Sequence, residues 1–101
     1  MHVELWVRDD LARRPDGETG FRIVAAWNDT LSANAQEAAE RAWRVCALAP
    51  HVLSPVEQRW RAAWDDGARG QGFSVGDVVI VGDAALRCTP TGFEPAADPS
   101  R

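Results

Sequence analysis

The hydrophobic period of this chain changes twice, from that of a strand to that of a helix and back. That double switch limits the fold more than any other feature. Val3, Leu5 and Val7 alternate with His2, Glu4, Trp6 and Arg8, the pattern of a half-buried strand. Phe21, Ile23, Ala25 and Trp27 repeat it, so the two segments are expected to pair as an antiparallel hairpin. The polar stretch 9–20 between them holds Pro15-Asp16-Gly17 and Gly20 and has turn chemistry. From Ser32 to Leu48 the apolar positions Ala35, Ala38, Ala39, Ala42, Cys46 and Ala49 fall at helical spacing, flanked by Trp43 and Val45. Glu37–Arg41 and Glu40–Arg44 are i,i+4 pairs on the opposite face. Pro50 stops this helix. Ser54-Pro55-Val56-Glu57 starts another with capping-box spacing, and Gly67 is read as its stop.

Strand periodicity returns at Phe73–Val81. Gly82-Asp83 suits a two-residue type II′ turn, and Ala84–Thr89 returns as the partner strand. Pro90 ends that strand, and Thr91-Gly92-Phe93 turns back toward a short edge segment. The expected architecture is α+β in the order ββααββ, with about four strands in two antiparallel hairpins and two helices on one face. A small barrel decorated by helices is the alternative. Residues 1–94 are expected to form one domain and 95–101 a disordered tail. The predicted core joins Val3, Leu5, Val7, Ile23, Trp43, Trp60, Trp64, Val79 and Val81.

Composition bounds the function. The 101 residues carry 15 acidic and 11 basic side chains, a net charge of −4. Every basic residue is arginine, which removes Schiff-base chemistry and a P-loop lysine. Alanine supplies 17 of the apolar residues, so the five tryptophans must carry much of the core. Two distant cysteines, no basic leader and no long apolar run point to a cytoplasmic protein that does not enter the membrane.

Candidate chemistry is sparse. His2, Cys46, His51 and Cys88 lack the two close-spaced ligand pairs of a structural zinc site, so no metal is expected. No nucleophile elbow, phosphate-binding loop or activated thiol is evident, so neither catalytic residues nor a cofactor are assigned. Two binding surfaces remain. Trp6 and Arg8, on the strand face away from Val3, Leu5 and Val7, adjoin Arg13 and Arg14 of the long loop. An aromatic anchor beside arginines is a protein-binding pattern. The alternative is a nucleic-acid surface in which Arg59, Arg61 and Arg69 interleave with Trp60. The acidic balance and the absence of a basic stripe weigh against it.

The segment Ser74-Val75-Gly76-Asp77-Val78-Val79, with Gly92-Phe93 after a hairpin, resembles the YodL-like proteins, small accessory factors of mobile elements and phages. Those proteins carry Arg-Ser-Leu-Ser-Val-Gly-Asp-Val-Val, then a short hairpin, an aromatic strand and Gly-Phe or Gly-Trp. Here Gln71-Gly72-Phe73 replaces Arg-Ser-Leu, and Leu86-Arg87-Cys88 lacks the usual tyrosine. The match covers about a quarter of the chain. It implies a mobile-element accessory factor that acts on a host system, with no catalytic residues to carry over. Together with the lack of an assembled active site, the acidic charge balance and the tryptophans, this makes the expected function a non-enzymatic inhibitor or adaptor that binds an unidentified protein partner, as a monomer or weak homodimer. Ser74, Gly76 and Asp77 read as structural members of the motif: Gly76 is free to take φ > 0, and Asp77 can accept from backbone N–H groups.

Overall fold

The computed structural model describes residues 1–9 and 20–99. Strands β1 (His2–Asp9) and β2 (Gly20–Asn28) pair antiparallel. Helices α1 (Ala35–Ala47) and α2 (Pro55–Ala68) follow, joined through a short 3₁₀ turn at Pro50–Val52. Strands β3 (Val78–Val81), β4 (Ala84–Thr89) and β5 (Gly92–Pro95) then form a meander. The sheet order is β2-β1-β3-β4-β5, and every neighbouring pair is antiparallel. Helix α2 lies over β2, and α1 lies over β3, β4 and β5.

The α+β class and the two helices on one face agree with the sequence reading. The count of about four strands is roughly met: the short edge segment read after Thr91 is a fifth strand, Gly92–Pro95, registered Cys88↔Phe93 and Thr89↔Gly92. Pro95 closes that strand, and the Ala96 amide donates to Ala85 O at 3.0 Å, so the start of the expected tail is tied to the sheet. Strand β3 is shorter than the Phe73–Val81 reading. Ser74–Asp77 forms a turn, with the Asp77 amide on Ser74 O at 3.0 Å and Gly76 at φ +94. All four residues of β3, Val78–Val81, are buried, at the centre of the five-strand order. Gly82 has φ +61 while Asp83 does not have positive φ, which fits the type II′ turn.

The core lies between the sheet and the helices. Val3, Leu5 and Val7 meet Ala38, Ala42, Val45, Trp60 and Trp64 there. Trp27 of β2 and Trp60 of α2 stack with ring centroids 5.5 Å apart and planes 2° from parallel. Two predicted core residues are displaced. The β1–β2 register shifts between Leu5 and Trp6, so β2 spends an extra residue there. Ala25 and Trp27 stay inward while Ile23 turns outward beside Trp6, 47% exposed. A bulge of this kind inverts the face of everything beyond it. Trp43 is 46% exposed, because the buried stripe of α1 runs Ala38, Ala39, Ala42, Val45 and leaves the next position on its shoulder.

Helix α1 starts later than Ser32. Asp29 accepts from the Leu31 and Ser32 amides and the Ser32 hydroxyl at 2.7–2.8 Å, closing a turn, and Asn34 then caps the helix through the Glu37 amide. The capping box at α2 forms as read: the Ser54 side chain accepts from the Glu57 amide, and Glu57 accepts from the Ser54 amide at 3.1 Å. Gly67 does not stop α2. A Cβ there would sit 2.0 Å from Val24 O, so it permits close contact with β2, and Arg69 caps the helix in the left-handed conformation at φ 52.

Candidate binding groove

A stripe of three alanines and Val45 brings α1 close to the sheet, so its bulky shoulder residue overhangs the β4–β5 end. Trp43 and Glu40 form one wall of a groove of about 470 Å³. The opposite wall is the β4–β5 turn, with Cys88, Pro90 and Phe93, and the segment before β3 closes one end through Phe73 and Val75. Phe73 is held edge-on against Trp64, centroids 5.9 Å apart and planes at 73°. Phe93 lies 6.4 Å from Phe73. Phe73 and Phe93 thus give the groove a packed aromatic lining, joined to the core through Trp64. Beside it, Trp43 and Val75 are 46% and 50% exposed, two of the large apolar side chains that the fold leaves in solvent.

The turn preceding β3 is fixed by Asp77, which is buried. Its Oδ1 accepts from the Arg8 amide at 3.0 Å and its Oδ2 from the Ser74 amide at 2.8 Å. Burial pushes this carboxyl up from its ordinary value, against the pull of those two amides and the Arg8 charge. The Gly76 and Cys88 amides complete the joint, donating to Cys88 O and Asp77 O at 2.9 Å each. Ser74, Gly76 and Asp77 therefore shape the segment that carries Val75 into the groove wall.

The residues singled out in sequence do not converge on one surface. Trp6 is half-buried, and its indole N–H donates to Glu4 Oε1 at 2.9 Å. Arg8 is committed to the turn: Nη2 donates to Val75 O at 3.3 Å, and the guanidinium lies over Gly76, where a Cβ would be 3.0 Å from it. Arg13 and Arg14 lie outside the described residues. Trp60, 7% exposed, stacks on Trp27 and presents no open face to a base. Arg61 closes the C-terminal end of α1, donating to Val45 O and Leu48 O, and pairs with Asp65 at 2.9 Å. Arg59 and Arg69 are exposed. The groove itself was missed because Trp43 read as core.

Both thiols are held protonated. Burial pushes Cys46 and Cys88 up from the usual cysteine range. Among the described residues no three His, Cys, Asp or Glu side chains gather as metal ligands. No helix is long and apolar enough to cross a membrane among those residues. Comparison with family models, curated proteins and solved structures finds no match for the chain.

Proposed function

We propose that this chain is a non-enzymatic protein-binding module and that the groove between α1 and the β4–β5 hairpin receives the partner. The observation that carries the reading is the exposure of Trp43 and Val75 beside the packed aromatic rings of Phe73 and Phe93. Apolar side chains clustered in a concavity are how a protein surface gains affinity, since aromatic anchors in desolvated pockets dominate binding energy. The polar contacts of Trp6 and Arg8 make the face first suspected the weaker candidate. An inhibitor or adaptor of a host system, the role implied by the resemblance of the Ser74–Val79 segment, needs only such a surface.

The test is affinity capture from the cell that expresses the protein, with Trp43→Ala and Val75→Glu as paired variants. Neither side chain is part of the core, so both variants should keep the wild-type melting temperature. The reading expects one protein species captured by the wild type and lost with both variants. A species captured equally by all three forms would contradict it.

A further inference from the structure

The groove has one acidic side chain in its lining, Glu40, and no arginine of the described residues pairs with it. Glu40 is exposed, and its Oε1 accepts only from Gln36 Nε2 at 3.3 Å. The i,i+4 spacing assigns Arg44 to it, yet Arg44 turns away, with Nε 3.6 Å from Glu57 Oε2 and Nη2 3.5 Å from Val52 O. Arg41 is likewise committed, to Ser32 at 3.0 Å, Glu57 at 3.3 Å and Glu37 at 3.6 Å. Buried Glu57 draws both arginines because a desolvated carboxylate needs cations more than an exposed one does. Among the described residues no cation comes within ion-pair distance of Glu40.

Glu40 and Trp43 are three residues apart on one helix face, which makes their side chains surface neighbours. A guanidinium entering the groove can lie flat on the Trp43 indole and point its fork at the Glu40 carboxylate. Arginine suits both contacts better than lysine, being planar, weakly hydrated and able to donate two parallel hydrogen bonds. The chain's net charge of −4 favours approach of such a segment. We infer that the groove takes a segment of another protein in which an arginine adjoins an apolar side chain, the arginine seated between Glu40 and Trp43 and the apolar group on Phe73 and Phe93. This rests on the groove reading above and specifies its occupant.

The experiment selects short random peptides on the full chain by display, then titrates an enriched peptide and its Arg→Gln counterpart by calorimetry and tryptophan fluorescence. The inference expects arginine beside an aliphatic or aromatic residue in the enriched set. It expects about tenfold weaker binding on removing the peptide's arginine, and the same loss in Glu40→Gln. The two changes should not add, because removing the peptide's arginine already deletes the Glu40 contact. Enriched peptides without a basic residue, or binding untouched by Glu40→Gln but lost in Trp43→Ala, would overturn the arginine while leaving the groove. No enrichment, or binding that survives Trp43→Ala, would overturn both. Concentration-dependent self-association abolished by Trp43→Ala would give the groove to a second copy and overturn the inference.

Discussion

Asp77 joins three parts of the chain through one carboxylate: the end of β1, the turn at Ser74 and the start of β3. Asp77→Ala leaves two backbone N–H groups without acceptors, at roughly 1–3 kcal/mol for each that stays out of water. Relief of a buried charge offsets part of this, so the expected net loss is about 2 kcal/mol in urea unfolding. Glu57 has the opposite titration behaviour. Burial opposes its ionisation, but the Ser54 amide and hydroxyl with Arg41 and Arg44 outweigh it and hold the carboxyl below its ordinary 4.5. A carboxyl depressed on folding stabilises the native state above its unfolded pKa, and that stability is lost as pH falls through the folded value. Glu57→Gln should therefore flatten the acid limb of a melting-temperature profile below about pH 4.5. An unchanged acid limb would show that Glu57 does not carry it. The capping box was legible because its spacing is local. The arginines it recruits were not, since Arg41 and Arg44 each had a nearer helical partner in sequence.

At the scale of elements, the two ends of α2 differ in what sequence reveals. Ser54, Pro55 and Glu57 announce the start, whereas Gly67 looks like a stop and is instead a point of contact with β2. The difference makes a paired prediction. Gly67→Ala drives a methyl against the Val24 carbonyl, a backbone atom that cannot yield, and should cost about 3 kcal/mol. Arg69→Gly relieves a left-handed conformation and should gain roughly 1 kcal/mol. Chemical denaturation of both variants checks the pair, and a harmless Gly67→Ala would contradict the close approach of α2 to β2. Strand alternation was read correctly in β1 and in the Ala25–Trp27 end of β2. It failed at Ile23 because the bulge between Ile23 and Ala25 falls at Val24, a strand-forming residue that carries no turn or bulge signal. In α1 the error had another cause. An alanine-rich stripe is broad, so the helix can be rotated by one position with little change in burial, and that rotation decides whether Trp43 faces the core or solvent.

For the whole molecule, the switch of hydrophobic period carried the architecture: an antiparallel sheet with both helices on one face. The position of a binding surface depended on finer quantities. Trp43, Val75 and Phe93 come from α1, a turn and β5, far apart in sequence, and their meeting depends on how closely the alanine stripe lets α1 approach the sheet. Trp6 drew attention in sequence because strand alternation alone placed it outward. Its hydrogen bond to Glu4 and its half-buried setting are tertiary facts. The central claim is that partner recognition occurs at the α1 and β4–β5 end of the sheet. Hydrogen exchange of the chain with and without its captured partner tests this most directly. The account predicts slowed exchange in α1 around Glu40–Trp43, in the Ser74–Val75 turn and in the Thr89–Phe93 turn. Slowing confined to β1 around Trp6, or to α2 around Arg59 and Arg69, would contradict it.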